Sequence, residues 1–218
     1  MPTPPQRPKA QHSEAQTQRA SEGAQNILLA AEELFAEQGF SAVSINAIAQ
    51  RAGISKANIF HHFENKDALY LAVLRNASQQ MSALIAELDS GEGNASEQIG
   101  HYTQQHLKNL FEQSRITQLI LRQVQNESSQ DSLKIAHDVL GENFSRFVSI
   151  LKKFQHHGEL RKDIDPAMIA TLLIGSNVFY FQIQSVIDRF PEMQFAEKPE
   201  NFSSLLSDIV LNGILAKP

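Results

Sequence analysis

Two short apolar stripes lie on either side of Ala52-Gly53-Ile54, and each opens on a serine. No other stretch of the 218-residue chain restricts the fold as much. Ser44 offers a hydroxyl to the N–H groups of a helix start, Ile45, Ile48, Ala49 and Ala52 follow at helical spacing, and Gly53 stops the stripe. Ser55 repeats the cap, and Ile59 and Phe63, four residues apart, form the second inward stripe. Two short helices joined by a glycine-containing turn make a helix-turn-helix. An earlier stripe, Ile27, Leu28, Ala31, Leu34 and Phe35, ends at Gly39 and supplies a third helix to pack against them.

With Ile59 and Phe63 turned inward, Lys56, Ala57, Asn58, Phe60, His61 and His62 take the flanks and outer face of the third helix. That surface suits duplex DNA. Asparagine pairs bidentately with adenine, lysine donates to guanine, and Ala57 or Phe60 can pack on a thymine methyl. Ser44, Ser55 and Lys66 stand at the starts of the second, third and fourth helices, where free N–H groups and a cation bind phosphate. Charge is divided along the chain in a way that permits this. Residues 1–66 hold six Lys/Arg and six Asp/Glu, so the net charge of -5 lies wholly in the remainder.

Four prolines among the first eight residues, followed by a Gln- and Ala-rich polar run, predict a disordered tail over residues 1–20. Beyond Lys66 the period stays helical. Leu69 to Leu88 predicts a rod of about 34 Å from residue 66 to 88. Further helices are expected over 97–113, over 116–125, along Leu133 to Phe154, from Pro166 behind an Asp165 cap, and along Phe202 to Ile214. NESSQD, residues 126–131, reads as a loop. The class is all-α, with an expected helix-turn-helix domain at 21–66 and a helical domain at 67–218.

The run FAEQGFSAVSINAIAQRAGISKANIFHHFENKDALYLAVL resembles the DNA-binding domain of the TetR family of one-component bacterial transcriptional regulators, usually repressors. The matching features are the first helix ending in FxxxGF, the hydroxyl cap, IAxxAGISK, an aromatic-x-His-Phe group, and NKDxL opening a long helix. The resemblance implies a nine-helix architecture, a homodimer formed through helices 8 and 9, a palindromic double-stranded operator, and a small-molecule effector held by the second domain. It also implies phosphate contacts at His62 and Lys66. Phe60 stands where the family commonly has tyrosine, and lacks the hydroxyl that would meet a phosphate.

The eighth helix is apolar on almost every side from Met168 to Ile187, so it needs cover both from its own chain and from a neighbour. His106, Gln123, His137, Asn177 and Tyr180 are expected effector contacts, being polar or amphipathic groups on inward stripes. A histidine on an apolar face is more often a hydrogen-bonded core residue than a ligand contact, and the same alternative stands for the others. Adjacent histidines such as His61-His62 and His156-His157 diverge around a helix and do not share a metal ion. The chain has no P-loop, nucleophile elbow or GxGxxG, and no cofactor is expected. The absence of cysteine and of a leader or uninterrupted apolar span fits a cytoplasmic protein without a membrane partner. The reading is a ligand-responsive repressor and not an enzyme. The alternative is a related DNA-binding protein controlled by a protein partner.

Overall fold

A computed structural model of the chain describes residues 10–125, 130–187, 189–190, 192–193 and 198–214, with side-chain surroundings from residue 22 onward except over 123–139. Among the described residues every regular element is a helix: α1 (Ala10–Gln38), α2 (Ile45–Arg51), α3 (Lys56–His62), α4 (Lys66–Ser90), α5 (Ala95–Glu112), α6 (Ser114–Gln125), α7 (Gln130–His156), α8 (Pro166–Ile187) and α9 (Pro199–Ile214). The all-α class and the nine helices agree with the sequence.

One expectation needs correction at the amino end. α1 begins at Ala10, so the helix takes in most of the stretch read as a tail. Alanine, glutamine, glutamate and arginine there are good helix formers, and they extend the register set by Ile27 to Phe35 without needing an apolar face of their own. The proline-bearing residues 1–9 lie outside the described residues, as do 126–129 of the expected loop; its last two residues, Gln130 and Asp131, belong to α7.

The chain divides into two compact units, Met1–Asn76 and Ala77–Pro218. The division falls later than the expected boundary at residue 66. Leu69, Tyr70, Val73 and Leu74 of α4 are buried, and Tyr70 meets Phe35 edge-on at 5.0 Å and Phe40 at 4.7 Å. Those contacts tie the opening turns of α4 to the first unit.

In the first unit α1, α2 and α3 pack on one another around Ile27, Ala31, Leu34, Phe35, Val43, Ile48, Ala49 and Ile59. Gly39 and Gly53 hold φ of 79° and 67°, left-handed conformations that end α1 and turn the chain between α2 and α3. Arg51 at the end of α2 reaches back to Glu33 at 2.8 Å and Glu37 at 3.9 Å on α1. Both ion pairs are exposed, so they contribute at most about 1 kcal/mol each.

In the second unit Leu84, Ile85 and Leu88 of α4 join Ile99 and Tyr102 of α5, Phe147 and Leu151 of α7, Ile169 and Leu173 of α8, and Leu211 and Ile214 of α9 in one core. A capping box between Asn94 and Glu97 starts α5. A smaller cluster gathers Leu107, Tyr180 and Ile187, with Ile183 and Phe202 packed against it.

α8 has two faces. Ile169, Ala170, Leu173, Asn177, Tyr180 and Ile187 turn into the unit, whereas Met168, Leu172, Phe179 and Val186 remain exposed. By length and composition alone α8 could cross a membrane; its inner face is instead part of the core. Leu205 and Ile209 of α9 are exposed as well, and they line a groove with Leu172, Gly175 and Phe179 of α8.

Candidate nucleic-acid interface and ligand cavity

α3 is short and held at both ends. The Ser55 hydroxyl accepts from the Asn58 N–H at 3.2 Å, and the Phe63 N–H donates to the Ile59 carbonyl at 2.8 Å. Ser44 caps α2 in the same way, accepting from the Ala47 N–H at 3.1 Å. Capping uses one lone pair of each hydroxyl and leaves its O–H as a donor. Ile59 is wholly buried, so the rest of α3 has no choice of face. Lys56, Ala57, Asn58, Phe60 and His61 are exposed, with Phe60 at 44%.

His62 is drawn partly back: a Cβ placed on Gly23 of α1 would stand 3.5 Å from its Nε2. Lys56 Nζ sits 5.8 Å from the centre of the Phe60 ring, and Lys66 Nζ sits 4.3 Å from that of Phe40. Desolvation lowers the Lys66 pKa, opposed by Asp67 beside it. Because Arg51 is paired with α1, the positive charge of this surface comes from Lys56 and Lys66.

The second unit encloses a cavity of about 240 Å³ lined by α4, α5, α6, α7 and α8. Of the expected effector contacts, only His106 is among its described lining residues. Asn177 is fully buried behind it, and Tyr180 is in the core, stacked on Phe202 at 4.3 Å. The side chains of Gln123 and His137 lie outside the described residues. Lining residues that the sequence reading missed include Asn109, Gln113 and Asn143. Asn109 and Gln113 follow His106 by three and seven positions, so the helical period starting from that histidine could have found them.

His106 and Asn177 form one polar unit. The Asn177 amide nitrogen donates to the Thr103 carbonyl at 2.8 Å and lies 3.0 Å from His106 Nδ1. A carbonyl only accepts, which fixes the amide orientation; its second N–H then meets Nδ1, and the imidazole proton belongs on Nε2. The ring lies parallel to Tyr102 with centroids 5.8 Å apart.

Burial pushes the His106 imidazole down from 6.5 to about 4. Only the unfolded chain takes up this proton between those values, so the contribution to stability is complete above about pH 6.5 and declines as pH falls towards 4. At about 1.36 kcal/mol per pKa unit, roughly 2 kcal/mol should disappear between pH 7 and pH 5. Urea unfolding of the wild type and of His106→Gln at both pH values isolates the effect from the other histidines. Equal losses in the two proteins would show that His106 is not held neutral.

Comparison with known proteins agrees with this architecture. Residues 27–73 match the family model described as "Bacterial regulatory proteins, tetR family". The chain is 26% identical over 148 residues, 68% of its length and 74% of the relative's, to the HTH-type transcriptional regulator UidR of Escherichia coli. It is 36% identical over 63 residues, 29% of its length and 33% of the relative's, to the HTH-type transcriptional repressor AcnR of Corynebacterium diphtheriae. The transcriptional regulator FadR of Bacillus subtilis, solved with stearoyl-CoA, shares the fold with a TM-score of 0.70 at 17% identity, covering 87% of this chain and 98% of that one. The reader helix thus lies in a segment that matches the tetR-family model, within a chain similar over most of its length to the regulator UidR and sharing its fold with FadR.

Proposed function

We propose that the protein is a ligand-responsive repressor that binds a palindromic operator as a homodimer. The observation that carries the DNA reading is the outward set on α3, Lys56, Ala57, Asn58, Phe60 and His61, fixed by the burial of Ile59. Asn58 and Lys56 read base edges, Phe60 or Ala57 packs on a thymine methyl, and Ser44, Ser55, His62 and Lys66 hold phosphates. The repressor assignment leans on the name of AcnR. A two-fold dimer through the exposed apolar faces of α8 and α9 pairs the two α3 helices, and the operator is then palindromic.

Effector response is supported by α4. This one helix opens in the first unit, while Ala77, Met81 and Ile85 along it line the cavity of the second. A ligand that displaces those residues acts on the helix that leads to the reader, and a coupling of about 1–3 kcal/mol lowers operator affinity roughly 5–150-fold. The protein acts in the cytoplasm on this reading.

A selection of bound duplexes from random sequence should return a palindrome; failure to enrich one removes the reading. On that operator Asn58→Ala should cost about 1–3 kcal/mol and relax preference at one base pair. Lys66→Ala should weaken all operator variants alike and reduce the salt dependence by roughly one charge per subunit. Identical patterns of loss in the two variants would abolish the division between readers and clamps.

A further inference from the structure

We infer that the cavity takes an uncharged, largely apolar molecule of modest size, with one hydrogen-bond acceptor such as a ketone, ester or amide carbonyl seated on His106 Nε2–H. This rests on the reading of the cavity as the effector site and specifies its ligand class.

The described lining holds no partner for an ion. Among the described residues that form it there is no aspartate, glutamate, lysine or arginine. His106 cannot supply a positive charge near neutral pH, because burial keeps it unprotonated. A carboxylate or phosphate entering this space would lose its hydration without a cation to replace it, as would an ammonium without an anion. The amides of Asn109, Gln113 and Asn143 offer dipoles without net charge.

The lining also holds one donor that is buried and fixed in direction. The Thr117 hydroxyl donates to the Leu110 carbonyl at 3.1 Å, and the Tyr102 hydroxyl is directed at Met81 Sδ at 3.8 Å. Both donors are engaged within the chain. His106 differs, because Asn177 occupies its Nδ1 and leaves Nε2 as the donor. Asn177 Oδ1 is the one side-chain polar atom among the described residues that is both buried and without a partner. Nε2, which makes no hydrogen bond among those residues, therefore keeps open surface, and the cavity is the space that His106 lines. Asn177 acts as a positioning residue: its amide keeps the acceptor of the ring turned away from the ligand and the donor turned towards it.

Size follows from the volume. About 240 Å³ is below the usual range of roughly 300–1,000 Å³ for drug-sized ligands, which favours a compact molecule.

Three probes on one skeleton test this by calorimetry on the whole chain at pH 7.5: 2-acetylnaphthalene, 2-naphthoate and 2-ethylnaphthalene. The ketone should bind about 3–10-fold more tightly than the hydrocarbon, as expected for one added hydrogen bond. It should bind more than about 10-fold more tightly than the carboxylate. His106→Phe should remove the advantage over the hydrocarbon while leaving hydrocarbon binding in place, and Val178→Trp, which fills the cavity, should abolish binding of all three. If His106→Phe does not fold, nitrogen NMR of the wild type gives the same information: a neutral Nε2–H tautomer whose Nε2 resonance moves with the ketone and not with the hydrocarbon.

Carboxylate binding as tight as that of the ketone would overturn the inference. So would a Nδ1–H tautomer, binding indifferent to Val178→Trp, or no binding of the ketone. Operator affinity measured with saturating 2-acetylnaphthalene separates the two readings. Cavity binding that leaves operator affinity unchanged retains the ligand class and removes ligand-controlled repression.

Discussion

Phe179→Asp and Ile209→Asp are each expected to turn the proposed dimer into a folded monomer, and so to remove operator binding. Phe179 is 60% exposed and Ile209 72% exposed on the single chain, so neither substitution disturbs the chain's own core. If these faces meet across a two-fold axis, each carboxylate is buried without a cation, at about 3–5 kcal/mol per copy. Two copies weaken association by roughly four to seven powers of ten. Sedimentation should show monomers where the wild type is dimeric, with helical circular dichroism unchanged. Dimers that persist at submicromolar concentration would place the contact elsewhere. Ile183 is not a substitute for Phe179 in this test, although sequence periodicity puts both on the same apolar helix. It is packed against the Leu107, Tyr180 and Ile187 cluster, so a charge there should unfold the second unit.

The second large effect separates two neighbours on α3. Ile59→Ala should destabilise the first unit by about 2–5 kcal/mol, because a wholly buried isoleucine loses both its transfer energy and its packing. Phe60→Ala should change stability by no more than about 0.5 kcal/mol and act on DNA affinity instead. Hydrogen exchange of the α2 and α3 amides, with parallel operator titrations, distinguishes the two outcomes. Comparable destabilisation by both substitutions would mean that Phe60 is part of the core and not of the reading surface.

The first unit is legible in the sequence because its information is local. Ser44, Gly53 and Ser55 act on backbone groups within four residues of themselves, and the Ile59 to Phe63 spacing orients α3 before anything else in the chain is known. The boundary at residue 76 was less legible. Tyr70 belongs to the first unit through contacts with Phe35 and Phe40, about thirty residues away in sequence, and the α4 period is the same on both sides of the boundary.

The sequence by itself determined the all-α class, the helix-turn-helix and which residues of α3 look outward, since periodicity, capping and glycine turns are properties of neighbouring residues. Tertiary structure alone decided the roles of the polar residues on inward stripes. His106, Asn177 and Tyr180 have the same signature along the chain, a polar or amphipathic group at helical spacing among apolar ones. Packing of α5 against α8 makes His106 a cavity residue, places Asn177 behind it as a hydrogen-bond donor, and stacks Tyr180 on Phe202. Helical period specifies the direction of a side chain from its own axis and carries no record of what another helix brings to meet it.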